Sequence, residues 1–143
     1  MKAYSSTIDL IGSESPGSDR PSATALIDLP PGSVPFASVD RLSEKLSIEP
    51  AALLALISMP ERTAARRKHE GFLKSEEADR LLRVARILEE ATRVFGSEPK
   101  AARWLSTGSP ALYACTPLSL LDSDAGTQAV SDELGRIAFG DFA

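Results

Sequence analysis

Apolar residues recur at helical spacing along most of this chain, and the interruptions fall at prolines and glycines. Val39, Leu42 and Leu46 share a stripe that predicts a helix over 37–46, with Ser38 placed to cap its first turn. Ile48-Glu49-Pro50 restarts the chain, and Ala51, Leu54, Ala55 and Ile57 carry a second helix. Pro60 ends it and opens a third over 61–70, stopped at Gly71. The fourth and longest runs over 75–95, from a capping-type Ser75-Glu76-Glu77 to Gly96. Shorter helical pieces are predicted over 99–106, 117–122 and 126–138, the last capped by Asp122-Ser123-Asp124, and Trp104 reads as a core pivot.

The fourth helix is apolar over an unusual share of its girth. Leu81, Leu82, Ala85, Leu88 and Phe95 form one stripe, and Val84, Ile87, Ala91 and Val94 a second beside it. Such a helix is either central in its own domain or shared between subunits. On the second reading Val84, Ile87, Leu88 and Ala91 make a homodimer contact.

Residues 1–35 lack this periodicity and are rich in Ser, Pro and Gly. They bury too little to offset their ordering entropy, so a largely disordered, mobile N-terminal segment is expected. The apolar run over 23–29 is the exception, suited to a short strand or to lying on a neighbour. No strand-turn-strand pattern and no repeat occurs elsewhere. The fold class is all-α, with segments at 1–35, 36–72 and 73–143.

Composition narrows the class. The chain has 143 residues and 43% hydrophobic content, enough for one or two small domains. A single cysteine, Cys115, excludes an intramolecular disulfide. No apolar segment after Met1-Lys2 reads as a signal peptide, and no run is long enough for a bilayer, so a cytoplasmic address with no membrane partner is expected. The net charge of −4 hides an uneven distribution. Only residues 36–103 are net positive, with thirteen basic and eleven acidic side chains, and the densest basic cluster is Arg62, Arg66, Arg67, Lys68 and Lys74.

Residues 37–70 read as a helix-turn-helix unit, with an apolar helix over 51–58, a turn at Met59-Pro60 and a basic helix over 62–69. Arg62, Thr63, Arg66, Arg67 and Lys68 are the candidate DNA contacts. Arginine forks match guanine edges or phosphate oxygens, Thr63 can reach phosphate, and small alanines allow close approach to a groove. The same pattern also describes an ordinary solvated face. Catalytic chemistry is thin: His69 and Cys115 are isolated, no metal spacing occurs, and no glycine loop cradles a phosphate. No cofactor and no enzymatic activity are expected.

The chain ends Leu134-Gly-Arg-Ile-Ala-Phe-Gly-Asp-Phe-Ala143, where a terminus more often frays into small polar residues. It either docks on its own core or serves a partner. Upstream stand Leu81-Leu-Arg-Val-Ala-Arg-Ile-Leu, Pro99-Lys-Ala-Ala-Arg-Trp-Leu105, Ser109-Pro-Ala-Leu112 and Thr116-Pro-Leu-Ser-Leu-Leu121. With Leu134-Gly-Arg-Ile137, these resemble the toxin-binding domain of the Xre/MbcA/ParS antitoxins over roughly residues 75–143, about half the chain. The basic unit ahead of them is similar to the Xre-type helix-turn-helix of that family. It departs in having Ser58-Met59 where the turn usually holds glycine, and the chain as a whole is acidic.

The resemblance implies a cognate RES-type toxin that consumes NAD or modifies a protein with it. It also implies operator DNA, a homodimer within a larger toxin–antitoxin complex, and a C-terminus that closes the toxin's active site. Arg136, Ile137, Phe139, Gly140, Phe142 and Ala143 are then the toxin-binding residues. The alternatives are a free-standing transcriptional regulator whose C-terminal domain only dimerises, or an adaptor for another protein.

Overall fold

Why the chain turns where it does is clearest at its prolines, glycines and left-handed residues. In the computed structural model, which describes residues 32–140, these separate six α-helices, and no strand of a sheet occurs among the described residues. The mobile segment expected over most of 1–35 and the short element expected over 23–29 fall outside that range. The end of that segment is corrected: Val34 is buried, and the Val34 carbonyl accepts from the Leu73 N–H at 2.9 Å.

α1 (Ala37–Leu46) buries Val39, Leu42 and Leu46 as the stripe predicts. Ser38 does not cap it. The Phe36 N–H instead donates to the Gly71 carbonyl at 2.9 Å, so a tertiary contact fixes the start of the helix and Ser38 lies buried inside it. In α2 (Pro50–Leu56) the inward residues are Leu53 and, just beyond, Ile57, while Ala51 and Ala55 are exposed. A two-turn helix made almost wholly of apolar residues does not define its own face. Ser58 takes a left-handed conformation (φ 57°) in the turn that follows.

α3 (Glu61–Glu70) stops at Gly71, and α4 (Ser75–Phe95) stops at Gly96. Ser75 is the first helical residue of α4 and not its cap; the Glu77 carboxylate accepts from the Lys74 N–H at 2.8 Å. α5 (Glu98–Leu105) is capped by Ser97, whose hydroxyl accepts from the Lys100 N–H at 3.2 Å. Two 3₁₀ turns follow, η1 (Pro110–Leu112) and η2 (Leu118–Asp122), the second where the pattern predicted a helix over 117–122. α6 (Asp124–Ala138) begins two residues earlier than predicted, because Ser123 caps it by accepting from the Gly126 N–H at 3.0 Å. Gly126 is required there by close approach, since a Cβ would lie 2.0 Å from the Leu120 carbonyl oxygen.

α4 is the axis of the fold. It packs against α5, α6, η2 and α1, and α1 packs in turn against α5. One hydrophobic cluster runs from Val34 to Leu134 and crosses the 72/73 division. Val84, Ile87, Leu88 and Ala91 are at most 4% exposed within this single chain, so they are core residues and are not available as a homodimer contact. The wide apolar girth is that of a central helix. Trp104 is half-buried at the edge of the core, its ring 5.5 Å from that of Phe95.

Candidate functional site

The helix-turn-helix geometry places α3 across the surface with two opposite faces. Ala64 and Arg67 point inward, three residues apart. Arg62, Ala65, Arg66 and His69 are exposed and share the other face at helical spacing, with Lys68 exposed on its flank and Thr63 half-buried. The outer face thus carries two forked cations around a small alanine, the arrangement that lets a helix approach a groove and reach phosphates or guanine edges. His69 completes this face; its i, i+3, i+7 relation to Arg66 and Arg62 was the signal for it.

Arg67 is withdrawn from the candidate contacts. It is buried, and its Nε donates to Glu77 Oε1 at 2.7 Å while a terminal nitrogen lies 3.4 Å from Glu70. The hydrogen bond it donates to Glu77 is foremost in raising its pKa, outweighing the loss of solvation. On Glu77, burial works against the charge. The hydrogen bonds from Arg67 and from the Lys74 backbone, with the charges of both residues, outweigh it and hold the carboxyl below its ordinary range. The pair ties the base of α3 to the first turn of α4 and so sets the angle at which the exposed arginines are presented.

The second candidate surface is the end of α6. Its position is fixed from α4: Arg83 pairs with Asp124 at 2.6 Å, and the Ser131 hydroxyl donates to Glu90 at 3.0 Å. Val130 and Leu134 are fully buried, which anchors the last turns. The helix continues through Gly135 to Ala138, so no conformable arm begins at Gly135. Ile137 is half-buried. Arg136 is exposed and pairs with Glu133 one turn back on the same helix. Phe139 is 91% exposed, and the chain turns at Gly140. Phe142 and Ala143 lie outside the described residues.

Among the described residues no group of His, Cys, Asp or Glu is placed to hold a metal ion, and no helix is long and apolar enough to cross a membrane.

Comparison with known proteins matches both halves. Residues 25–86 fit the Antitoxin Xre-like helix-turn-helix domain, and residues 90–140 fit the Antitoxin Xre/MbcA/ParS C-terminal toxin-binding domain. An Antitoxin Xre of Yersinia enterocolitica is 34% identical over 107 residues, covering 73% of this chain and 72% of that protein. One of Photorhabdus laumondii is 28% identical over 127 residues, covering 87% and 84%. One of Pseudomonas putida is 41% identical over 68 residues, covering 48% and 43%.

Proposed function

Since the chain belongs to the Xre/MbcA/ParS family of antitoxins, we propose that it neutralises a RES-type, NAD-consuming toxin by covering its active site with the C-terminal tail. The family is one of binding proteins, not enzymes. The observation that carries the tail's role is Phe139, 91% exposed immediately after a helix anchored by Leu134. A large ring left in water at a fixed point favours reception by a partner, where burial of such a side chain is worth about 1.5–3 kcal/mol.

Arg136, Ile137, Phe139, Gly140, Phe142 and Ala143 form the proposed contact. A site for NAD must accept a flat ring and a pyrophosphate, so apolar rings and a guanidinium suit it chemically, and Arg136 can exchange Glu133 for a toxin carboxylate. α3 is proposed to read the operator through Arg62, Arg66 and Lys68, with Thr63 on phosphate, so that the chain represses its own operon. A homodimer is proposed within the complex, through surfaces other than the buried stripe of α4.

Co-expression with the toxin tests the tail. A chain ending at Ala138 keeps all of α6, so its melting temperature and DNA binding are expected to stay near those of the full chain while growth protection is lost. Full protection by that truncated chain would refute the active-site cover.

A further inference from the structure

Phe139 has an aromatic counterpart that the tail does not explain. Tyr113 is 95% exposed and stands at the tip of the loop that joins α5 to η2. This loop is closed on itself by backbone hydrogen bonds. The Ser109 N–H donates to the Cys115 carbonyl at 3.0 Å, the Ala114 N–H to the Ser109 carbonyl at 2.8 Å, and the Cys115 N–H to the Leu112 carbonyl at 3.1 Å. Leu112 is buried beneath it. At its base Gly108 runs so close that a Cβ would lie 2.8 Å from the Ala114 carbonyl oxygen. The tip is therefore built, with one anchored geometry.

That geometry is unfavourable for the residues it holds. Tyr113 (φ 57°, ψ 37°) and Ala114 (φ 63°) are consecutive left-handed residues, and neither is glycine. Strain of this kind persists only where the surrounding structure over-determines the backbone, as the closed loop does here, yet the Tyr113 ring buries almost nothing in its own chain. Strained backbone that displays an exposed aromatic is the pattern of a recognition residue. Tyrosine suits that task, because a large ring with two side-chain torsions loses little entropy on docking.

Two observations choose the partner. Tyr113 lies within residues 90–140, the segment that fits a toxin-binding domain. Its supporting turn η1 packs on α6, the helix that ends at Phe139. The exposed neighbours Pro110, Ala111, Ala114 and Cys115 are small or uncharged, and offer no large apolar surface on which the ring of a second copy could be buried.

We infer that Tyr113 is a second toxin anchor, seated in an apolar slot of the toxin outside its active site, with an acceptor there for the phenol hydroxyl. The inference rests on the reading that this chain binds a toxin directly, but not on the tail covering the active site. The rigid loop makes the contact independent of how the tail lies.

Replacing Tyr113 by glycine separates recognition from folding, because glycine relieves the left-handed strain while removing the ring. The full-length Tyr113→Gly chain is expected to melt at a higher temperature than the unaltered chain and to bind the purified cognate RES-type toxin at least tenfold more weakly by calorimetry. Tyr113→Phe, which keeps the ring, is expected to fall between the two. Affinity within twofold of the unaltered chain for Tyr113→Gly would overturn the inference. So would a lower melting temperature, or a homodimer lost in light scattering while toxin affinity is kept. If the unaltered chain fails to bind that toxin, both readings fall. If the chain ending at Ala138 still protects cells, only the tail reading falls.

Discussion

Two glycines of α6 offer a matched test of the packing that holds the tail in place. Gly126 and Gly135 lie nine positions apart on one helix, and each loses conformational freedom there that alanine would not. On helix preference alone either Gly→Ala change should stabilise by about 0.5–1 kcal/mol. Their surroundings differ. A Cβ at Gly135 meets nothing within 4 Å, so Gly135→Ala should realise that gain. A Cβ at Gly126 falls 2.0 Å from the Leu120 oxygen and 2.9 Å from its carbon, well inside the roughly 3.5–4 Å at which non-bonded atoms rest. The obstacle is backbone and cannot rotate away. Either η2 moves, taking the buried Leu121 with it, or α6 loses its first turn. Overpacking of this kind costs about 1–3 kcal/mol, so after the helix gain is deducted Gly126→Ala should be net destabilising by about 1 kcal/mol. The two variants should then differ by about 2 kcal/mol in urea unfolding, and by about 7 °C in melting temperature. Equal stabilities would refute the close approach of η2 to α6. Gly135→Ala should also protect cells from the toxin as well as the unaltered chain does. A more stable variant that no longer protects would mean that α6 bends at that position when bound.

Three further expectations follow from the charged groups. The Arg62→Ala, Arg66→Ala double change should abolish operator binding in an electrophoretic shift and leave toxin affinity intact, and each single change should flatten the dependence of log K on log salt by about one unit. Glu77, held below its ordinary pKa, contributes stability that is present above the unfolded carboxylate value of about 4.3 and is lost as pH falls through its lower folded value; Glu77→Gln should remove that loss from unfolding free energies measured between about pH 2 and 6. Glu89 titrates in the opposite sense, because burial raises its pKa against the charges of Arg93 and Arg86. Its ionised form costs stability at neutral pH and the cost fades as pH falls through the raised value, so Glu89→Gln should be more stable than the unaltered chain at pH 7 and lose that advantage in acid.

What could be read from residue order was set by where local chemistry decides alone. Gly71 and Gly96 end helices through their own backbone freedom, and Pro50 and Pro60 start them, so α3 spans its predicted bounds, α4 stops where predicted and α2 opens at Pro50. Ser38 does not cap because the tertiary pairing of the Phe36 N–H with the Gly71 carbonyl overrides the local preference, and Ser75 does not because the cap falls one residue earlier, where Glu77 accepts from the Lys74 N–H within the same first turn. The double stripe on α4 was legible as burial, but whether a neighbour in the same chain or a second subunit supplied the cover was not. Arg67 was misread for a related reason: a charge density counted along a helix ignores which face the partner carboxylate waits on. Tyr113 was passed over because nothing in its neighbours predicts two left-handed residues without glycine.

The two matched segments end and begin at residues 86 and 90, within α4, which runs unbroken from Ser75 to Phe95. A linker between them would let one half outlive the other after a proteolytic nick. Here a shared shaft allows no such survivor: melting of α4 strips the buried floor from the basic unit and the packing partner from α6 in one step. Turnover of the chain should therefore be all-or-none, and a protease that lowers its level should withdraw its grip on every partner in the same proportion and at the same moment.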